Sequence, residues 1–169
     1  MTTWDEFSTT LESSETVCPE EFANIREAVK YLLTLLGEDY VKEAQMITRH
    51  PFLGLMTLSW PSLRSEFLEW VAHVRSVAHC PNLEKILRDL RIPNKCGHAY
   101  AMVEIAGRMK RWGFNISFEP QGCEREAGLR SDACVELRRT NETFFLELSC
   151  QGLADRQLSA FDAMNACQS

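Results

Sequence analysis

Apolar residues recur at helical spacing through the first part of the chain. The clearest case follows Pro19, where Ile25, Val29 and Leu32 fall on one side of a helix. A stripe of this kind, with a proline at its start and a glycine after its end, is typical of an amphipathic helix. The pattern predicts four helices, over about 19–36, 38–48, 63–79 and 81–91. Residues 1–94 are therefore predicted to form a helical bundle.

Two segments of this bundle do not follow a clear period. Residues 1–15 are acidic, with Trp4 and Phe7 at helical spacing, and two alternatives are open for them: a short helix or a loose arm. The segment 50–61 is apolar and is interrupted by two prolines and a glycine. These breakers predict a buried connector without regular structure.

The pattern changes after residue 95. An amphipathic helix is predicted over about 98–112, closed by Gly113, and an alternating strand follows over 114–118. The remaining chain predicts a loop over 119–130, a hairpin over 131–149 and a last helix over about 153–166. This order of elements predicts an α+β unit over residues 95–169.

The hairpin places two carboxylates on one face of its strands, since side chains alternate between faces. A turn centred between Arg139 and Thr140 sets Asp132 directly across from Glu147. A turn centred one residue later sets Asp132 across from Ser149, with Glu147 as its diagonal neighbour. Like charges this close are unfavourable unless one is protonated or a cation lies between them. The pair is a candidate metal site, and the alternative is two solvated carboxylates on an exposed sheet face.

Charge narrows the classes of function. The net charge is −6 at pH 7, and neither part of the chain has the basic excess that a strong nucleic-acid binder uses for phosphate contacts. Arg108, Lys110 and Arg111 cluster at one helix end, and we interpret them as ordinary solvated charges. Nucleic acid therefore has to be recognised through local contacts, if it is bound at all.

The cellular compartment can be predicted from the segments that the sequence does not contain. No apolar run approaches the roughly 20 residues that span a bilayer, and the first residues have neither the basic start nor the apolar core of a secretory signal. The seven cysteines are odd in number and scattered, as expected for buried thiols in a reducing compartment. We expect a cytoplasmic protein without membrane association.

Three carboxylates take distinctive places in the α+β unit. Glu104 lies in the middle of its helix, Asp132 follows Ser131 at the start of the second strand, and Glu147 precedes Leu148 and Ser149 near the end of the third. This arrangement resembles the PD-(D/E)XK nuclease superfamily, and the likeness covers roughly residues 97–167. The resemblance implies that the predicted helical bundle is followed by a restriction-endonuclease-like α-β-β-β-α unit with a small mixed sheet. The family core adds a fourth strand after the last helix, and the sequence has no counterpart of it, so the unit is either truncated or reduced.

The resemblance also implies hydrolysis of a phosphodiester bond in nucleic acid with Mg²⁺ or Mn²⁺. Asp132 and Glu147 would hold the metal, and Glu104 would either support it or hold a second ion. Hard oxygen ligands suit Mg²⁺, which lowers the pKa of bound water and stabilises charge on the phosphate.

One catalytic position departs from the family pattern. Ser149 stands where the family has a lysine, and a hydroxyl supplies no positive charge. Three alternatives follow. The first is a metal-dependent nuclease with Glu104, Asp132, Glu147 and Ser149 as catalytic residues. The second is a non-catalytic protein of the same fold that binds a nucleic-acid partner, or a protein partner through its N-terminal helices. The third is a helical-bundle interaction protein whose α+β part is unrelated to the nuclease family.

Overall fold

The computed structural model of the chain describes residues 3–6, 18–48, 50–56, 61–118, 133–136 and 143–146. Helices α1 to α6 span Pro19–Leu36, Tyr40–Gln45, Pro51–Met56, Pro61–Val77, Leu83–Asp89 and Cys96–Arg111. Strands β1 to β3 span Asn115–Phe118, Ala133–Glu136 and Thr143–Leu146. No helix in these ranges combines the length and the apolar character needed to cross a membrane.

The ends of α1 are fixed by local chemistry. Pro19 occupies the first helical position, and the Cys18 thiol accepts a hydrogen bond from the Glu21 N–H at 3.5 Å. Gly37 ends the helix with φ +82°, a left-handed value that favours glycine, and its N–H donates to the Leu33 carbonyl at 2.9 Å. The sequence signals at both ends therefore act as expected.

A series of aromatic rings runs through the core. Trp4 is 4% exposed, packs against Tyr40 and Phe52, and donates its indole N–H to the Gly37 carbonyl at 3.0 Å. Phe52 in turn contacts Trp70 at a centroid distance of 5.4 Å. Rings in such tilted contacts contribute beyond their buried area. The N-terminal residues thus help to hold α1, α2 and α3 together.

A buried histidine links α3 to the end of α5. His50 is 3% exposed; its Nε2–H donates to the Leu90 carbonyl at 2.8 Å, and its Nδ1 accepts from the Phe52 N–H at 3.2 Å. A backbone N–H can only donate, so Nδ1 carries no proton and the imidazole is neutral. Burial lowers the pKa of His50 below its ordinary value.

Helices α4 and α6 pack directly on each other. Small residues on α6, among them Ala99 and Ala106, are buried. A Cβ atom built on Gly107 would lie 2.4 Å from the His73 Cβ and 2.7 Å from its Cα. Any side chain at this position would therefore push the two helices apart.

The strands form a small antiparallel sheet in the order β1-β2-β3. The register pairs Ile116 with Val135 between β1 and β2, and Ala133 with Leu146 between β2 and β3. The second pairing is the one that a turn centred between Arg139 and Thr140 would give. The outer edge of β1 meets the turn after α4, where the Phe118 N–H donates to the Pro81 carbonyl at 3.1 Å.

The predicted fold class is wrong. The described part of the chain is mostly helical and contains no mixed sheet, because every strand pairing within it is antiparallel. The restriction-endonuclease-like arrangement requires a helix that packs on the sheet. Instead, the apolar face of α6 is used mainly against α4, where Gly107 permits close contact.

Several other expectations have separate outcomes. The segment 50–61 was expected to be an irregular connector, but Pro51–Met56 is helical because proline is tolerated at a first helical position. Residues 4–6 form one helical turn, whereas the loop 119–130 and the helix 153–166 lie outside the described residues. The division at residues 94 and 95 stays a prediction. One hydrophobic core contains residues from both sides of it, from Trp4 to Phe118.

Candidate functional site

Three of the four predicted site residues, Asp132, Glu147 and Ser149, lie just outside the described residues of β2 and β3. The role of Asp132 and Glu147 in holding a metal, and that of Ser149 at the position of the family's lysine, stay predictions. The fourth residue, Glu104, is described together with its whole surroundings.

Glu104 lies in the middle of α6 and is partly buried. The Arg108 Nη2 donates to its Oε1 at 2.6 Å, one helical turn further along. Pairs at this spacing share a helix face. The carboxylate that the sequence singled out is thus engaged with a guanidinium of its own helix.

Glu104 also lines an open cleft of about 330 Å³ between α4 and α6, which we call the acidic cleft. The residues lining it are Glu66, Glu69, Trp70, His73, Tyr100, Glu104 and Arg108. Two carboxylates come from α4 and one from α6, against the single guanidinium of Arg108. Glu66 is exposed and forms no ion pair within the described part of the chain. The lining therefore carries a net negative charge.

An aromatic pair forms part of the cleft wall. The rings of Trp70 and Tyr100 are parallel, with centroids 5.0 Å apart, and Trp70 is 2% exposed. Burial raises the pKa of the Tyr100 phenol, and the carboxylates of Glu104, Glu66 and Glu69 raise it further. The phenol therefore stays neutral at physiological pH, in a field that repels negative charge and attracts positive charge.

His73 lies beneath the charged rim of the acidic cleft. It is 1% exposed, and its Nε2 lies 3.5 Å from the Glu69 Oε1 and 3.4 Å from the Arg111 Nη2. Burial lowers the pKa of His73, the Arg111 guanidinium lowers it further, and Glu69 acts in the opposite direction. A guanidinium can only donate, so a neutral imidazole whose Nε2 accepts from Arg111 carries its proton on Nδ1.

Two buried polar atoms in the cleft wall have no hydrogen-bond partner among the described residues. They are the Nδ1 atom of His73 and the Nε1 atom of Trp70. A buried donor without an acceptor costs roughly 1–3 kcal/mol. The packing of α4 on α6 at the acidic cleft is therefore less favourable than a helix contact in which every buried polar atom has a hydrogen-bond partner.

The sequence indicated only one residue of this cleft. Glu66, Glu69 and His73 follow each other at intervals of three and four, which places them on one side of α4. This spacing was the one feature of the sequence that could have indicated the cleft, because it places three polar residues next to the apolar stripe of the helix. Which other helix lies against that side is a property of the tertiary structure.

The described residues contain no group of three or more His, Cys, Asp or Glu side chains that could hold a metal ion. The predicted Mg²⁺ or Mn²⁺ site, with Asp132 and Glu147 as ligands and Glu104 in support, stays a prediction because its two ligands lie outside the described residues. Comparisons of the chain with protein families, with curated proteins and with solved structures gave no match. The function has to be argued from the site itself.

Proposed function

We propose that the protein is a binding domain whose acidic cleft receives a lysine or arginine side chain of a protein partner. The observation that carries the proposal is the charge around the Trp70–Tyr100 pair: three carboxylates line the cleft, and two of them, Glu104 and Glu69, contact the guanidinium groups of Arg108 and Arg111. Glu66 has no ionic partner in the described part of the chain, so it is available to a cation from outside.

The chemistry of the wall supports a peptide as the source of that cation. A guanidinium or ammonium group gains from carboxylates and from an aromatic surface at the same time. Of the two rings, Trp70 is buried and Tyr100 is half-buried, so the Tyr100 ring is the aromatic surface that a cation entering the cleft would meet. The net charge of −6 also favours a basic protein surface over nucleic acid.

The test is a titration of the protein with N-acetyl-arginine amide and N-acetyl-lysine amide, followed by NMR signals of Trp70 and Tyr100. N-acetyl-citrulline amide has nearly the same shape as the arginine probe but no charge. We expect saturable shifts with both cationic probes and none with citrulline. Glu66→Gln should weaken binding about fivefold, which corresponds to about 1 kcal/mol.

Glu38→Gln is the matched control, because it removes the same charge from an exposed residue outside the cleft. Equal affinity for the cationic probes in Glu66→Gln and in Glu38→Gln would overturn the proposal. So would equal binding of the citrulline probe.

The hypothesis of a Mg²⁺-dependent nuclease is separate and stays a prediction, since it depends on Asp132 and Glu147. Cleavage of labelled DNA or RNA with Mg²⁺ or Mn²⁺ tests it, and activity unchanged in Asp132→Ala would contradict it.

A further inference from the structure

A second cleft of about 330 Å³ lies where the end of α4, the end of α6 and strand β1 meet. The residues lining it are His79, Cys80, Pro81, Lys110, Asn115, Ile116 and Ser117. None of these is a carboxylate. Burial raises the pKa of the Cys80 thiol, while Lys110 acts in the opposite direction, so the thiol adds no negative charge at neutral pH.

The free edge of β1 faces this cleft. The Phe118 N–H donates to the Pro81 carbonyl at 3.1 Å, and the Phe118 carbonyl accepts from the Asn82 Nδ2 at 2.8 Å. Both backbone groups of Phe118 therefore point away from β2. Backbone groups two residues apart point to the same edge of a strand, so those of Ile116 also point away from β2.

The Ile116 N–H is consequently a donor for whatever occupies the second cleft. The Ile116 side chain is 5% exposed and belongs to the core, so its backbone is the part that lines the cleft. Within the described residues this N–H has no partner in a turn or loop. An edge N–H of this kind attracts an acceptor.

Lys110 supplies positive charge at the same place. Its ammonium group has no carboxylate partner among the described residues, whereas its neighbours Arg108 and Arg111 contact Glu104 and Glu69. Ser117 also lines the cleft, and its hydroxyl is a further donor. A cation without a carboxylate partner in the described part of the chain, a hydroxyl and a backbone N–H together match the acceptor oxygens of an oxyanion.

We propose that the second cleft binds the phosphate group of a small ligand. The Lys110 ammonium neutralises the charge of the phosphate, while the Ile116 N–H and the Ser117 hydroxyl donate hydrogen bonds to its oxygens. The imidazole of His79, which is exposed, extends the donor set at the rim of the cleft. This site is independent of the acidic cleft and of the function proposed for it.

The test is a titration with inorganic phosphate, with a nucleoside monophosphate and with acetate, followed by the backbone amide signals of Ile116 and Ser117. We expect saturable shifts with phosphate and with the nucleotide. Tighter binding of the nucleotide would identify an organic phosphate as the ligand, and equal binding would identify free phosphate. Saturation by acetate at the same concentrations would overturn the assignment of phosphate.

Lys110→Gln should weaken phosphate binding about tenfold. The matched control is Lys42→Gln, which removes a charge from an exposed lysine of α2 and should leave binding unchanged. Ser117→Ala is a second variant with a smaller expected loss of about threefold. Binding that is equal in Lys110→Gln and Lys42→Gln, or the absence of saturable shifts in the wild-type protein, would overturn the proposal.

Discussion

The two clefts have the same volume but opposite chemistry, and α6 contributes to both. The acidic cleft takes Glu104 and Arg108 from α6, whereas the second cleft takes Lys110. Each residue of a helix is rotated about 100° from the one before it. Arg111 therefore reaches Glu69 and His73 on α4, while the adjacent Lys110 lies beside β1. A segment that looks like one basic cluster in the sequence is divided between two surfaces.

The source of the polar groups also differs. In the acidic cleft they are side chains of two facing helices, and most of them are already paired with each other. In the second cleft one donor is the backbone of an edge strand, and among the described residues the turn after α4 bonds only to Phe118 of that edge. The pattern of charged residues in a sequence can therefore help to predict a site such as the acidic cleft, but it does not show a backbone donor such as that of the second cleft.

The largest effect on this arrangement should come from Gly107→Ala. The new methyl group would meet the backbone and Cβ of His73 at less than 3 Å, so α4 and α6 would have to separate. We expect a loss of about 3 kcal/mol in the free energy of unfolding. Urea unfolding followed by far-UV circular dichroism measures it.

Gly97→Ala is the control for that substitution. Gly97 lies on the same helix, but a Cβ atom there would have nothing within 4 Å. The better helix propensity of alanine should stabilise this variant by up to about 1 kcal/mol. If both variants had the same stability, the close contact at Gly107 would not be what sets the distance between α4 and α6.

Acid should destabilise the protein through two buried histidines. His50 and His73 have a pKa below the ordinary 6.5 in the folded state, so the unfolded chain takes up protons first as the pH falls. Their contribution is complete above pH 6.5 and declines below it, by at most about 1.4 kcal/mol per pH unit for each histidine. Urea midpoints measured from pH 7.5 to 5 check this.

The slope of the free energy of unfolding against pH can be divided between His50 in the core and His73 at the acidic cleft. His50→Gln removes the core contribution, whereas His73 remains between Arg111 and Glu69. We expect the slope below pH 6.5 to become shallower in His50→Gln without disappearing. A slope unchanged in that variant would mean that His50 does not titrate with unfolding.

The sequence was most informative about helices with a long apolar period. The predicted helix over 98–112 agrees with Cys96–Arg111 within two residues, because Ala99, Val103 and Ala106 repeat at the spacing of a buried face. The helix Pro51–Met56 was not predicted, since an almost wholly apolar segment has no polar face that would reveal its period. The spacing of apolar residues therefore predicted a helix only where the helix has both a polar and an apolar face.

The sites were less predictable than the helices. Glu104 was singled out as a metal-supporting carboxylate, but it pairs with Arg108 in a cleft whose other acids come from α4. The two helices that line this cleft meet closely at Gly107 and His73, residues far apart in the chain. The free edge at Ile116 depends on the turn at Pro81 in the same way. Neither of these two tertiary contacts produces a periodic pattern in the sequence that would predict it.

The smallest effect, and the sharpest on the acidic cleft, should come from Arg108→Gln. This change releases Glu104 and removes the guanidinium that competes with an incoming cation. Arginine-probe binding should become about threefold tighter, while stability changes by no more than about 0.5 kcal/mol, because the pair is solvent-exposed.

Arg88→Gln, at an exposed position of α5 outside both clefts, is the control for net charge. The gain should shrink as salt is added, and phosphate binding at the second cleft should not change. Weaker arginine binding in Arg108→Gln would instead mean that the guanidinium contacts the ligand, which would then have to carry a carboxylate or phosphate of its own.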